Sequence, residues 1–325
     1  MESFKVLTHD YRDAYFNLAS EEYLLKETDG YYFYLWINDP AVIVGVNQNA
    51  IEEVNLSYTQ SHNVKVVRRL TGGGAVYHDG GNLCYTVIAP FDSERDNYKA
   101  FTAPVIGYLN TLGVKAEFSG RNDIVVDGKK ISGNAQTVYK NRIMHHGTLL
   151  FSTDLDGLTK SLNPSKLKTQ SKGIKSVRAR VTNISDHLKT PMTMAEFKDG
   201  LYREFLKTCQ PFSLKATDIE RINRLKEEKY STYKWNIGSS PKGSNKFTQK
   251  FAFGIFTLQF DTECGLIKSP EIYGDFFCKK DVNEFKQKLD GLPLEKTALI
   301  KAFSDISDYV VGADGEEIIN ALLGD

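Results

Sequence analysis

Cysteine is scarce in this sequence, which has four cysteines among 325 residues. They are far apart, and no two of them form a CxxC pair; they are Cys84, Cys209, Cys264 and Cys278. A disulfide framework or a zinc knuckle is therefore not expected, and reduced thiols in a cytoplasmic protein fit the pattern better.

The sequence also lacks net charge and long apolar runs. Lys plus Arg and Asp plus Glu both number 41, so the formal net charge is zero and gives no support for a general nucleic-acid binder. No uninterrupted apolar run approaches the roughly 20 residues of a membrane span. The start of the sequence, Met1 to Lys5, has no apolar signal core. We therefore expect a cytoplasmic protein that binds neither nucleic acid nor membrane.

The remaining composition is that of a globular protein of two domains, with 41% hydrophobic and 25% charged residues. Strand-like runs alternate with helical patterns, which indicates an α+β fold with a mixed sheet. Pro104 lies within a predicted helix over 97–112 and requires a kink or a late start. A linker-like stretch over 237–245 precedes strand-like runs at 246–260, 266–268 and 271–273 and a mainly helical tail. The predicted domains are 1–245 and 246–325.

The segment Arg68 to Asn82 reads RRLTGGGAVYHDGGN. Its three consecutive glycines suit neither a helix nor a strand, so they indicate a backbone need such as the close approach of N–H groups to an anion. Arg68 and Arg69 could add charge-assisted bonds to a phosphate or carboxylate. A flexible hairpin is the alternative. The segment is neither a Walker A loop nor a GxGxxG turn, which argues against a kinase or a dehydrogenase.

A second segment, Arg121 to Gln136, contains groups suited to phosphate chemistry. Lys130 opens a strand after a tight turn and could neutralise a carboxylate beside a phosphate. Asn122 and Asp123 offer the oxygen ligands that Mg²⁺ prefers. A solvated turn at Lys129-Lys130 is the alternative.

A third segment, Ser165 to Arg180, is rich in basic residues and has no acidic one. This concentration of charge suits a polyphosphate or an acidic partner. The alternative is a mobile basic loop without a ligand.

Two other groups of reactive residues are not expected to form a functional site. His145 and His146 are neighbours on a predicted strand and point to opposite faces, so they are not expected to chelate one zinc ion. Cys84 lies in an apolar strand with no visible base, which favours a buried structural thiol over a nucleophile. The sequence also lacks a GxSxG elbow for serine hydrolysis.

Four motifs in order carry a resemblance to a known family: RRLTGGGAVYHDGGN, GRNDIVVDGKKISGNAQ, HHGTLLF and KGIKSVRARVTNIS. Over roughly residues 30–190 the chain resembles the lipoate–protein ligase A family, and its C-terminal segment resembles that family's accessory domain. The resemblance implies a mixed-sheet catalytic domain like that of biotin ligases and a small C-terminal α/β domain. It also implies two-step chemistry. Lipoate and ATP give lipoyl-AMP and pyrophosphate, and the lipoyl group then passes to a lysine of an apo lipoyl domain.

The resemblance also implies roles for individual residues. Lys130 is the catalytic cation that contacts both the lipoate carboxylate and the phosphate. Asn122 and Asp123 lie near the nucleotide, with Asp123 as a ligand of Mg²⁺. The residues expected to hold ATP and lipoate in the glycine loop are Arg69, Gly74, Ala75, Val76 and Tyr77. A basic loop that closes over the adenylate is expected to include Lys172, Ser176 and Arg178.

The resemblance further implies dehydrogenase E2 subunits or a glycine-cleavage H protein as acceptors, lipoate or octanoate as the acid, and a monomer. Thr137 departs from the pattern, because some relatives have an arginine there, near the lipoyl end. The alternative function on the same scaffold is an ATP-independent octanoyl or lipoyl transferase with Cys84 as its nucleophile. A third possibility is a lipoate-binding module without catalysis. Lys130, the basic loop and the C-terminal domain favour the ligase.

Overall fold

The computed structural model describes residues 4–92, 97–163, 180–238, 245–263, 266–293 and 295–323. The strands are β1 Lys5–Thr8, β2 Tyr32–Ile37, β3 Ala41–Val44, β4 Lys65–Arg68, β5 Val76–His78, β6 Asn82–Pro90, β7 Glu117–Ser119, β8 Asp123–Val126, β9 Lys129–Tyr139, β10 Arg142–Leu150, β11 Gln210–Phe212, β12 Asn245–Phe251, β13 Gly254–Glu263 and β14 Leu266–Gly274. The helices are α1 Ala14–Lys26, α2 Ala50–Glu53, α3 Leu56–Ser61, α4 Tyr98–Thr111, α5 Leu155–Ser161, α6 Met194–Leu206, α7 Ala216–Leu225, α8 Val282–Gln287, α9 Lys296–Phe303 and α10 Gly315–Leu323.

An eight-stranded mixed sheet forms the centre of the catalytic part, in the order β11-β1-β2-β6-β10-β9-β8-β7. β1 runs parallel to β2 and β11, and the other neighbours are antiparallel. Both faces of this sheet are covered. Alternate residues of β6 pack into different clusters: Leu83, Tyr85 and Val87 share one with α4 and α6. Cys84 and Ile88 share the other with α1. Burial on both faces explains why β6 is a continuous apolar run.

A smaller sheet, β4-β3-β5, lies beside the large one and has its own small core. β3 pairs with β4 in parallel and with β5 in antiparallel register. The glycine loop, residues 69–75, connects β4 to β5 and so crosses the end of this sheet. Its position follows from the pairing of both flanking strands with β3.

The C-terminal domain contains the sheet β12-β13-β14 and helices α8 to α10. Its phenylalanine-rich core cluster runs from Phe251 to Ile319 and includes no residue of the preceding sheets. The strand-like character predicted over 246–260 is confirmed, although a turn divides the run into two strands. The run is a hairpin, in which Phe251 pairs with Gly254 and Gly254 has a φ of +134°. A glycine supplies such a conformation at little steric cost.

Other expectations of the sequence are met in part. The α+β class with a C-terminal α/β domain is confirmed. α4 begins at Tyr98 and continues through Pro104, so its start is not late, and Asn97 caps it by accepting a hydrogen bond from Ala100 N. The boundary at residue 245 stays a prediction. In the described parts of the chain, no helix combines the length and apolar character that a membrane crossing requires.

The C-terminal domain contacts the catalytic part at several places, among them the small sheet and the glycine loop. On the small-sheet side, Lys246 forms an ion pair with Glu52, and Gly274 N donates to Asn47 O at 2.7 Å. At the glycine loop, Gly73 N donates to Phe276 O at 3.3 Å. The second contact brings the C-terminal domain to the edge of the cavity described next.

Candidate active site

A cavity of about 130 Å³ lies between the large sheet, α1, the glycine loop and the C-terminal domain. Its apolar wall comes from separate elements, through Leu18 of α1, Trp36 of β2 and Ile43 of β3. Several of the predicted site residues line it: Arg69, Gly74, Ala75, Val76, Asn122 and Lys130. Fold topology thus brings together residues of two motifs, Arg68 to Asn82 and Arg121 to Gln136, that are separate in the sequence.

The remaining predicted site residues lie elsewhere. Tyr77 is buried in the core of the small sheet with Leu158, away from the cavity lining. Asp123 is joined to the cavity through its ion pair with Lys130. Lys172, Ser176 and Arg178 are outside the described residues. The functional roles of all these residues stay predictions.

Lys130 begins the part of β9 that faces the cavity. The register between β8 and β9 shifts here, because Ile124 pairs with Ser132 whereas Val125 pairs with Lys130. Such irregularities re-aim side chains next to functional sites. Lys130 Nζ lies 2.8 Å from Asp123 Oδ1, and each side chain is 36% exposed. A cation is therefore held at the cavity while it stays accessible to a ligand.

Gly133 leaves space for that lysine. A Cβ at position 133 would lie 2.8 Å from Lys130 Nζ, and no positive φ is involved. We expect Gly133→Ala to move Lys130 without destabilising the fold, because the obstructing atom is the end of a flexible side chain. Since a misplacement of about 1 Å can cost roughly 100-fold in rate, activity should fall by that order while the melting temperature is unchanged. Gly107→Ala, with nothing within 4 Å, is the matched control. Full activity in Gly133→Ala would contradict this account of Gly133.

Arg69 is buried and shapes the glycine loop. Its guanidinium donates to the carbonyls of Ile43, Gly72 and Gly74 at 3.1, 2.6 and 2.9 Å, and Nε donates to Thr71 Oγ1 at 2.8 Å. Burial lowers the pKa of Arg69 to about 10, although nearby Glu21 opposes the shift. Arg69 therefore stays protonated at neutral pH and fixes the loop that borders the cavity.

The sequence predicts that Arg68 bonds a phosphate or carboxylate, but its guanidinium contacts backbone carbonyls instead. Nε donates to Trp235 O and Nη2 to Asn236 O, while Nη1 donates to the carbonyls of residues 45, 46 and 48. It does not line the cavity that holds Lys130. These five hydrogen bonds to backbone carbonyls indicate a structural role, in which Arg68 joins the segment after β3 to residues 235 and 236.

The glycines of the loop serve close packing. A Cβ on Gly72 would lie 2.5 Å from Phe276 O, and one on Gly73 would lie 3.1 Å from the Phe277 ring. Gly73 also has a φ of +88°. The anion-binding role predicted for this loop stays a prediction. The demonstrated need is room for the C-terminal domain.

A chain of buried polar groups lies below the loop, and sequence reasoning did not predict it. Thr71 Oγ1 lies 2.7 Å from His146 Nε2, and His146 Nδ1 lies 2.9 Å from Glu21 Oε1. Thr86 Oγ1 also donates to Glu21 Oε1, at 2.6 Å. A ring protonated on Nδ1 satisfies both contacts of the histidine. The available signal was the acidic Glu21 among the apolar residues of α1.

His145 faces the opposite side of the sheet, as the alternation of a strand predicts. Its Nδ1 lies 3.0 Å from Gln136 Nε2, and its ring contacts those of Tyr98 and Phe101. Burial is the main cause that lowers the pKa of His145 to about 3, and nearby His146 shifts it in the same direction. Within the described residues, no three His, Cys, Asp or Glu side chains are grouped to hold a metal ion.

Cys84 lines the cavity and has a histidine beside it that sequence reasoning missed. Its Sγ lies 3.5 Å from His78 Nδ1, while Asn38 Nδ2 lies 3.1 Å from the same nitrogen. Burial is the main cause that raises the pKa of the Cys84 thiol well above its usual value, and the nearby carboxylate of Glu21 adds to the shift. Burial, with His146 and Arg69, lowers the pKa of His78 to about 3. The pair has the distance of a nucleophile and its base, but its environment favours the neutral forms.

We therefore expect Cys84→Ala to retain most of the acid-activating activity. Loss of a true catalytic nucleophile lowers kcat by about a millionfold in a well-studied case, whereas loss of a protonated thiol removes only packing atoms. The measurement is ATP–pyrophosphate exchange with lipoate, with Cys84→Ser as a second variant. An inactive Cys84→Ala protein with a wild-type melting temperature would favour the transferase.

Thr137 lies outside the cavity that holds Lys130. It lines a second cavity, of about 550 Å³, between the two domains, together with Trp235 and Cys278.

Hydrogen bonds to Asn134 hold β9 in place near Lys130. Tyr85 donates to Asn134 Oδ1, and Asn122 Nδ2 donates to Asn134 O at 2.6 Å. Asn122 thus holds the strand that carries the cavity wall.

Comparison with known families gives two matches in tandem. The model of the lipoyl protein ligase A/B catalytic domain matches residues 13–206. The model of the bacterial lipoate protein ligase C-terminus matches residues 240–322. Lipoate-protein ligase LplJ of Bacillus subtilis (strain 168) is 43% identical over 303 residues, which are 91% of this chain and 92% of that protein. Lipoate–protein ligase 1 of Staphylococcus aureus (strain Mu50) is 42% identical over 317 residues, 95% and 97% of the two chains.

Solved structures show the same similarity. Plasmodium falciparum LipL1 in complex with lipoate superposes with a TM-score of 0.80 and 27% identity over 99% of this chain and 100% of its own. A lipoate-protein ligase A bound with ATP has a TM-score of 0.62 and 28% identity, covering 73% of this chain and 99% of its own. A bi-partite lipoate protein ligase from Thermoplasma acidophilum, described with its E2 lipoyl domain, has a TM-score of 0.63 and 29% identity, covering 75% and 98%.

The fold and the cavity therefore define an enzyme with a lipoyl-ligase catalytic domain, followed by the C-terminal domain of bacterial lipoate ligases. The resemblance carried by the four sequence motifs is confirmed. This chain belongs to the lipoate–protein ligase family.

Proposed function

We propose that the protein activates lipoate with ATP and transfers the lipoyl group to a lysine of an acceptor protein. The observation that carries the proposal is the position of the accessible Lys130 cation at a cavity with an apolar wall. A carboxylic acid with an apolar tail would complement both the cation and the apolar wall. Its carboxylate would meet Lys130, and its tail would pack against Leu18, Trp36 and Ile43.

In the first step, a carboxylate oxygen of lipoate bonds to the α-phosphorus of ATP, and the bond from that phosphorus to the β-phosphate oxygen breaks. Pyrophosphate leaves, and lipoyl-AMP remains. The step brings two anions together, so a fixed cation lowers its barrier by offsetting their repulsion. We assign that task to Lys130. In the second step, the acceptor lysine amine bonds to the acyl carbon and loses a proton as AMP leaves.

Mg²⁺ fits the residues present, although no cluster of three acidic or imidazole ligands exists in the described chain. Proteins hold Mg²⁺ through one or two carboxylates together with substrate phosphates and water. We propose that Asp123, whose side chain is 36% exposed, supplies the carboxylate. When bound, the ion would offset phosphate charge. Lys130 would then keep its contact with the acid.

The basic loop, the acceptors and the organisation of the chain complete the proposal. We propose that Lys172, Ser176 and Arg178 close over the adenylate and exclude water, as the family resemblance implies. A dehydrogenase E2 subunit or an H protein would be the acceptor; the T. acidophilum ligase described with an E2 lipoyl domain supports the first.

We also propose that the chain has domains 1–245 and 246–325 and is a monomer. We propose a cytoplasmic location, with which the free thiols of Cys84, Cys209 and Cys278 agree.

The test is acceptor modification, measured by intact mass. The protein is incubated with an apo lipoyl domain in two reactions, one with lipoate, ATP and Mg²⁺, the other with octanoyl-carrier protein and no nucleotide. Lipoylation in the first reaction alone is expected. Modification in the second alone would replace the ligase with the transferase.

A further inference from the structure

Phe277 brings the C-terminal domain into the cavity that holds Lys130. Among the residues the structure describes beyond position 245, it is the one that lines this cavity. The residue is 5% exposed, and its ring borders the glycine loop at Gly73. The motifs that point to lipoate chemistry all lie before residue 190, so none of them identifies this residue.

Contacts from both domains hold the ring in place. On the catalytic side, the Arg121 guanidinium lies 4.5 Å from the ring centroid, and the Tyr98 ring lies 5.9 Å from it. Arg121 Nη1 also donates to Phe253 O at 2.7 Å. Within the C-terminal domain, Val311 N donates to Phe277 O at 2.9 Å. The ring is therefore fixed before any ligand binds.

The loop opposite is shaped to admit the ring. Gly73 N donates to Phe276 O, and a side chain at position 73 would press on the Phe277 ring. A contact that served only to join two domains would not need to extend into the cavity. The ring does so, and it joins the other apolar groups that line the same space, Leu18, Trp36, Ile43 and Val76.

We infer that Phe277 is an acid-binding residue, whose ring forms the C-terminal domain's part of the apolar wall against the substrate. The inference rests on the proposed function and assigns part of acid recognition to the C-terminal domain. The C-terminal domain then contributes to affinity for the acid through this one side chain. Loss of one apolar contact in such a pocket changes discrimination by roughly 10- to 200-fold.

The test is the dissociation constant of lipoate, measured by isothermal titration calorimetry on the full chain. Phe277→Ala is expected to raise it by about tenfold, and Phe277→Leu by less, because leucine keeps part of the wall. Lys246→Ala is the matched control, since it removes the interdomain ion pair with Glu52 and keeps the ring. Its dissociation constant should equal that of the wild type.

Melting temperatures separate a binding role from a structural one. If Phe277→Ala does not fold, Phe277→Leu and Phe277→Trp decide, because a larger indole should narrow the cavity and weaken binding in a folded protein. Equal lipoate affinity in the wild type and in every folded Phe277 variant would overturn the inference while the proposed function stands. If the wild type bound no acid, the proposed function itself would fail, and the inference with it.

Discussion

Lys130→Ala should lower the rate of lipoate-dependent ATP–pyrophosphate exchange by at least about 100-fold, with no change in melting temperature. Lys130 is an accessible cation at the cavity, and its ion-pair partner Asp123 is itself 36% exposed. Loss of the ammonium leaves the approaching carboxylate and phosphate to repel each other. The fold is unaffected, because a half-exposed ion pair contributes little to stability.

Lys129→Ala is the matched control for this prediction. Lys129 is the preceding residue of the same strand, it is exposed, and it does not line the cavity. Its variant should exchange pyrophosphate at the wild-type rate. Normal exchange in Lys130→Ala, or an equal loss in Lys129→Ala, would contradict the role assigned to Lys130.

Arg69→Leu should destabilise the protein by about 4 kcal/mol and abolish exchange. The substitution removes this donor from the buried carbonyls of Ile43 and Gly72, the half-buried carbonyl of Gly74 and the Thr71 hydroxyl, which keeps its contact with His146. Each buried polar group that loses its partner costs at least about 1 kcal/mol. The glycine loop would also lose the group that ties Gly72 to Gly74. Urea unfolding of the full chain measures the change in the free energy of unfolding.

The control for Arg69 is an exposed arginine. Arg203 of α6 is 76% exposed and pairs with Asp199 one turn away, so Arg203→Leu should change stability by less than about 0.5 kcal/mol. A wild-type unfolding midpoint in Arg69→Leu would show that the arginine does not support the loop. It would then be a candidate for direct ligand binding alone.

Local patterns predicted much of this fold. The buried strand β6, the capped start of α1 and the helical C-terminal tail follow from apolar runs and turn residues. The turn inside the strand-like run 246–260 was not predicted, and the reason is local. Alternating apolar residues continue through the turn before Gly254, so composition alone does not reveal where the chain reverses.

The parts of the site that sequence reasoning missed depend on distant contacts. Asn38 meets His78 across 40 residues, Glu21 meets His146 across 125, and Gly73 meets Phe276 across about 200. No periodicity connects such pairs, because packing of whole elements brings them together. The glycine loop illustrates the limit: its composition signalled a backbone need, and the structure shows that the need includes room for another domain.

The most direct test of the central claim is lipoate-dependent ATP–pyrophosphate exchange with Mg²⁺, run beside octanoate, biotin and no acid. The account predicts exchange with lipoate or octanoate and none with biotin or without acid. Absence of exchange with every acid, in a protein that still modifies an apo lipoyl domain from octanoyl-carrier protein, would contradict acid activation by ATP and assign the chemistry to Cys84.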